Sequence, residues 1–284
     1  MRAMMRAAWT AVGLTALATA ATAQTVLMSE DFEEGAGEWT VNGIPTLFPG
    51  AGNPGQAIGL PYGDFWGVTL RNETPGSVVL GDLTRHGGAL TFDLDVSVLQ
   101  LNNWIPKPMP PAWFPFVIEF VDYPEPGSID PPVSVYYTGP GLPPTGTWGH
   151  YTFNVPDTTS KTLPPGWGGT GAEHPVTLEP MLPPGRTYTS VLQNVNEMRF
   201  TTFVPGYFYI ANFWEVVFDN VNVTVEGGTC YPDCNESGNL TVADFGCFQG
   251  KYVLGDLYAD CNASGALTVA DFGCFQGKYV LGCP

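Results

Sequence analysis

The sequence predicts a mainly β chain, a sandwich of antiparallel strands followed by a small helical module. Three observations carry that expectation. The 284 residues include 35 glycines and 27 prolines with no repeating period, the composition of a turn-rich β protein. Four separate stretches alternate apolar and polar residues with the period of two that a half-buried strand requires. A segment near the C-terminus, Asp233 to Gly255, recurs as Asp260 to Gly282 with only two differences, Glu236 against Ala263 and Asn239 against Ala266. An internal repeat of that fidelity marks one supersecondary unit used twice.

The first element, residues 1–23, reads as an export signal. Arg2 and Arg6 make a positive start, Ala7 to Ala21 is an apolar run, and Ala21-Thr22-Ala23 has the small-x-small form of a cleavage site. The run is too short to span a bilayer. The chain is therefore expected to be secreted, extracellular or cell-surface associated, with no transmembrane anchor. A formal net charge of −17 excludes nucleic acid as a partner, because phosphate binding needs clustered Lys and Arg.

Residues 24–226 should form the sandwich. Leu90, Phe92, Leu94, Val96 and Val98 point one way along one strand, with Thr91, Asp93, Asp95 and Ser97 opposite. Phe114, Phe116, Ile118 and Phe120 make a second apolar face, Tyr151, Phe153 and Val155 a third, and Met198, Phe200 and Thr202 a fourth. The last strand runs from Trp214 to Val225 and changes phase near Asp219 and Asn220, which predicts a bulge with Val221, Val223 and Val225 turned inward. One helix is expected where Tyr188, Val191, Leu192 and Val195 take helical spacing behind Thr187 as N-cap.

Motifs for catalysis are absent from the sequence: it has no G-x-S-x-G, no H-E-x-x-H and no P-loop. His86, His150 and His174 are scattered, as loop or surface histidines would be. Glycoside hydrolysis needs two carboxylates across a cleft. Glu119 is the best single candidate, with Glu173 and Glu215 as seconds, against the plainer reading of acids on a solvent-facing strand. Trp104 and Trp113 flank a proline-rich loop, and Trp148 and Trp167 sit in glycine-rich turns. These four either stack on sugar rings or cap the core. Glu30, Asp31, Glu33 and Asp219 are a candidate cation site joining first and last strands.

All six cysteines lie between Cys230 and Cys283, so residues 227–284 are a separate, disulfide-held unit. Each copy starts with an EF-hand-type calcium loop. Its ligands are Asp233, Asn235, Ser237, Asn239, Thr241 and Asp244 in the first copy. In the second they are Asp260, Asn262, Ser264, Ala266, Thr268 and Asp271. Asn239 and Ala266 act through their carbonyls, and Thr241 and Thr268 through water. Ser at position 5 and Asp at position 12 leave two carboxylates per loop, so binding should be weak and suited to extracellular calcium. A helix should follow each loop. Pairings that respect the repeat number three, and all join Cys230 to Cys283. Cys234, Cys247, Cys261 and Cys274 stay open.

Two calcium-loop-and-helix repeats at the end of an exported chain resemble a dockerin module. That resemblance implies calcium as cofactor and a cohesin-like protein as partner. The contacts it implies are Val242, Ala243, Gln249 and Gly250, with Val269, Ala270, Gln276 and Gly277 in the second copy. The alternative for Val242 and Val269 is packing at the helix start. Its near-identical copies imply a pseudo-two-fold. The larger part resembles a laminin-B-like or galactose-binding-like jelly roll. The signals are Asp31-Phe32-Glu33 with Gly37-Glu38-Trp39, then Gly52-Asn53-Pro54-Gly55, Gly88 to Leu94, Tyr188 to Phe200, and Phe218 to Val221. The fold class expected is mainly β, a jelly-roll β-sandwich with a small C-terminal α module of two calcium loop-helix repeats. The function implied is a non-catalytic binding or structural protein with a polysaccharide or glycan ligand. The alternative is a dockerin-bearing polysaccharide-degrading enzyme.

Overall fold

A computed structural model describes residues 24–86, 88–103, 109–125, 128–207, 211–226, 231–235, 240–262 and 266–282. The expected leader, Trp104, Ser237, Asn239, Ser264, Cys230 and Cys283 lie outside the described residues.

Among the described residues of 24–226, fourteen strands form: β1 Gln24–Glu30, β2 Trp39–Val41, β3 Leu47–Gly52, β4 Gly55–Phe65, β5 Thr69–Asn72, β6 Ala89–Asn103, β7 Pro115–Asp122, β8 Val133–Gly141, β9 Trp148–Val155, β10 Trp167–Gly169, β11 Ala172–Glu173, β12 Pro180–Met181, β13 Glu197–Thr201 and β14 Asn212–Glu226. Twelve of them build two six-stranded sheets. The first has the order β3-β4-β14-β6-β9, with β1 also paired to β14; the second has the order β10-β8-β7-β13-β5-β2. Every pairing between strands is antiparallel. Strands β11 and β12 make a separate hairpin.

The period-two faces meet between the sheets. Phe92, Phe116, Phe120, Phe153, Phe200 and Phe218 are all at most 1% exposed. Phe116 stacks on both Phe200 and Phe218, at 6.0 and 6.1 Å between ring centroids. Alternating strands from two sheets thus interdigitate into one aromatic layer, as a sandwich core requires. The helix α1, Tyr188–Leu192, forms where expected, with a capping box between Thr187 and Ser190. It closes one margin of the core through Tyr188, Val191 and Leu192.

The phase change in the last strand has a topological cause. Along one edge, β14 pairs with β4 from Asn212 to Phe218 and with β1 from Val221 to Glu226. Its register against β6 shifts between Asp219 and Asn222, and Asn220 takes a left-handed φ of 52°. The bulge is therefore where one edge changes partner, and Val221, Val223 and Val225 re-enter the core beyond it.

The tail has its own small core. Helices α2, Val242–Leu254, and α3, Val269–Leu281, follow the two loops. Cys234, Phe248, Ala259, Cys261 and Phe275 are its buried residues, packed against nine partly buried neighbours that include Phe245, Tyr252, Phe272 and Tyr279. Ring contacts are reciprocal across the repeat. Phe245 meets Tyr279 at 4.6 Å, Tyr252 meets Phe272 at 4.7 Å, and Phe248 stacks on Phe275 at 4.2 Å. That reciprocity is the pseudo-two-fold expected of two near-identical copies. No helix among the described residues is long and apolar enough to cross a membrane.

Candidate functional site

The tail loops close on their last ligand position. Thr241 caps α2, and Asp244 stands at its third residue as the other half of a capping box; Thr268 and Asp271 repeat this at α3. Asp244 and Asp271 are 0% exposed. Asp244 Oδ2 accepts the Thr241 N–H at 2.7 Å and its Oδ1 accepts the Asn235 N–H at 3.3 Å. Asp271 does the same with Thr268 and Asn262, at 2.7 and 3.4 Å. Positions 3, 9 and 12 of each loop are thereby tied together. Burial pushes the Asp244 carboxyl up, but hydrogen bonds from Thr241 and Asn235 outweigh it and hold the group below its ordinary value. The Thr268 backbone N–H does the same for Asp271.

Asp233 is buried beside Asp244, Asp260 is half-buried, and Asn235, Asn262, Ala266, Thr241 and Thr268 are exposed. The donors are all oxygens, the hard set that calcium prefers over softer metals. Among the described residues no three His, Cys, Asp or Glu side chains are grouped for a metal. Residues 236–239 and 263–265, the tips of both loops, lie outside that description.

Disulfides join Cys234 to Cys247 and Cys261 to Cys274. Of the three symmetric schemes, the structure adopts the one internal to each repeat. Each bond links loop position 2 to the helix beyond position 12, so each loop is held inside a covalent ring. Tyr231 and Tyr258 extend the repeat two residues upstream of its near-identical stretch. Their rings stack at 4.7 Å, and each hydroxyl donates to the other's carbonyl oxygen. Lys251 and Lys278 sit over these rings, at 3.9 and 4.4 Å. Pro232 against Ala259 hid that pair in the sequence.

All eight residues that the dockerin resemblance singles out face outward. Val242 is 85% and Val269 82% exposed, so neither packs at its helix start. Ala243, Gln249, Gly250, Ala270, Gln276 and Gly277 are exposed as well.

On the sandwich, the outward face of the second sheet carries an acid-base network. Glu119 Oε1 accepts from Ser134 Oγ at 2.5 Å, and Oε2 accepts from Arg199 Nε at 2.9 Å. Arg199 also pairs with Glu197 at 3.3 Å, whose other oxygen accepts from Tyr123 at 2.5 Å. Burial and that bond push the Tyr123 hydroxyl up to about 12. For Arg199, burial favours the neutral form, but Glu119 and Glu197 outweigh it and hold the charge more firmly than usual. A cleft of about 310 Å³ opens beside this network, lined by Asn42, Thr69, Arg71, Glu197, Arg199 and Phe203.

Several expectations are corrected here. Glu119 is not solvent-facing: it is 3% exposed, and its two oxygens accept from Ser134 and Arg199. Glu215 lies on the first sheet, paired with Gln100, so it does not face Glu119 across a cleft. Trp167 is 8% exposed and packs on Phe120 and Tyr188 in the core, because it starts β10 with its ring turned inward. Trp148 is not in a turn but starts β9, half-buried on the outer face. Trp113 is 59% exposed. His150 lies within β9, its Nδ1 2.8 Å from Asp95. Of the acids considered as a cation site between first and last strands, each accepts a backbone N–H: Glu30 from Phe32, Asp31 from Glu33, Glu33 from Gln56, and Asp219 from Asn53 and Asn220.

No family model matches the chain, and no curated protein matches it. Solved structures with a similar arrangement include the tandem CBM22-1-CBM22-2 domain of Xyn10C from Paenibacillus barcinonensis. It is 11% identical, with 70% of this chain and 50% of that chain covered and a TM-score of 0.37. A family 11 carbohydrate-binding module from Clostridium thermocellum, in complex with a mixed-linked tetrasaccharide, is 15% identical. It covers 72% of this chain and 96% of its own, with a TM-score of 0.37. A carbohydrate esterase from the bacteriophage phi24B is 12% identical over 72% of this chain and 100% of its own, with a TM-score of 0.34. The chain spans half the length of the first of these and nearly all of the other two. Binding modules and an esterase stand side by side at this similarity, so none of them assigns an activity. The jelly-roll-like sandwich stands on the two sheets described above.

Proposed function

We propose that this is an exported, non-catalytic protein whose sandwich holds a glycan and whose C-terminal module tethers it to a partner in a calcium-dependent way. The observation that supports the reading most is the closure of both tail loops. In each copy the position-12 carboxylate is withdrawn from solvent and bound to the backbone of positions 3 and 9. Those bonds tie the two ends of each loop together at the residue where an EF-hand loop meets its exiting helix. The outward-facing residues of α2 and α3 then offer two equivalent faces to a cohesin-like domain.

Calorimetric titration of the exported chain with calcium, disulfides intact, tests the tether. Two bound ions are expected, with one lost in Asp244→Ala and one in Asp271→Ala. Calcium-dependent retention on an immobilised cohesin domain tests the partner. Absence of any calcium uptake at millimolar concentration overturns the reading.

A further inference from the structure

The outward face of the first sheet carries polar contacts toward one end, Thr152 to Asp93 and His150 to Asp95, and aromatic rings toward the other. Along β14, Trp214, Val216 and Phe218 turn into the core, so Phe213, Glu215 and Val217 turn out. The register sets Phe213 beside Asn102 and Glu215 beside Gln100 on β6, and Ser97 beside Trp148 on β9. Tyr62, from β4, is 47% exposed; it stacks on Phe213 at 5.7 Å and 22°, and its hydroxyl accepts from Asn102 Nδ2 at 3.0 Å. None of Tyr62, Phe213 and Trp148 belongs to the hydrophobic core or packs against it.

Their spacing and company identify an occupant. Tyr62 and Trp148 lie on strands three steps apart, about 14 Å across the sheet, and are offset by about 10 to 15 Å along it, because Tyr62 stacks beside the Asn102 position and Trp148 stands beside Ser97. Between them, Glu215 and Gln100 offer hydrogen-bonding groups, while Val217 and Ser97 are buried, so the intervening surface is filled. The six strands of this sheet contain no Lys or Arg, whereas β5 and β13 of the second sheet carry Arg71 and Arg199. A cation-free face with carboxylates repels a polyanion. One stacked ring pair and a separate tryptophan, with amides and a carboxylate between them, do not make the contiguous apolar patch that a protein partner needs. Rings with acceptors at their rims suit a chain of pyranoses, whose apolar faces stack and whose hydroxyls donate.

We propose that this face binds a neutral oligosaccharide, stacked on Tyr62 at one end and Trp148 at the other, with Gln100, Asn102 and Glu215 bonding its hydroxyls. The proposal rests on the glycan-binding reading of the sandwich and is independent of the calcium reading of the tail. It also places the ligand away from the tether. Phe213 and Glu226, where the chain leaves the sandwich, are about 40 Å apart along β14.

The test is titration of the exported chain, in EDTA, with cellohexaose, xylohexaose, mannohexaose and laminarihexaose, followed by the matching disaccharides. At least one hexaose should bind, and its disaccharide should bind much more weakly. Tyr62→Ala and Trp148→Ala should each raise Kd about tenfold, the loss typical of an aromatic anchor. Arg71→Ala, in the cleft of the other sheet, should leave Kd within about twofold of native, a change worth under 0.5 kcal/mol. Amide shifts at Gln100 and Asn102 in the native chain give the same answer where a variant melts early. Failure of all four hexaoses overturns both this site and the glycan reading. A hexaose whose binding is lost in Arg71→Ala and kept in Tyr62→Ala keeps the reading and overturns this site.

Discussion

The sandwich and the tail solve the same problem with different means. Thirty-seven of the described residues make up the core of the sandwich, and the sequence before Cys230 contains no cysteine. Among the described residues, the tail's hydrophobic core has five buried residues, supported by two disulfides and by facing ring pairs across the repeat. A segment of that size cannot bury enough apolar surface to stand alone, so covalent closure replaces core. The difference teaches where each part is vulnerable: the sandwich to loss of volume, the tail to loss of its bonds.

The sharpest way to break the comparison is reduction. Each disulfide closes a loop of a length that contributes about 3 kcal/mol. Reducing the tail should melt α2 and α3 while leaving the sandwich intact, read as loss of helical circular dichroism with an unchanged main thermal transition. The converse is Phe200→Ala, which empties the centre of the aromatic layer. It should cost the sandwich about 4 kcal/mol in denaturant midpoint analysis, with the calcium titration of the tail unaltered. Arg199→Met comes next. It leaves Glu119 and Glu197, at 3% and 1% exposure, without their cation. Removing one partner of a buried pair is costly, and the exposure of the Arg199 side chain, about 30%, reduces the cost to about 3 kcal/mol. The smallest effect sharpens the picture at one helix. Thr187→Ala removes the cap of α1 and should cost about 1 kcal/mol, lowering the main transition by a few degrees. If any of these sandwich variants altered calcium uptake, the two regions would not be independent.

Period-two runs made the core strands legible, because residues such as Phe92, Phe116 and Phe153 have to alternate with polar ones when only one face is buried. The bulge at Asp219 and Asn220 was legible as a phase change, but its cause was not: sharing one edge between β4 and β1 involves residues far apart in the chain. Glu119 misled for the same reason. A polar residue opposite an apolar face reads as exposed, yet Ser134, Thr170 and Arg199 from neighbouring strands and loops cover it. Trp167 looked like a turn residue because three glycines surround it, and only the pairing of β10 with β8 reveals which way the ring points. In the tail, repetition exposed the loops, the helices and the two-fold. It left the cysteine scheme open because symmetry is blind to whether a bond stays within a copy. Of the proposed sugar face only Trp148 was legible; Tyr62 was not, because one tyrosine between Pro61 and Gly63 carries no pattern.

The long last strand has a mechanical consequence. Tension applied through the tail enters the sandwich at Glu226 and runs along β14, which is bonded to β6 on one edge and to β1 and then β4 on the other. A pull directed along a strand loads these ladders in shear, so many hydrogen bonds have to give way together. The strand that anchors the tail is thus the one best held against being drawn out, and a protein fastened at that end keeps its shape under drag.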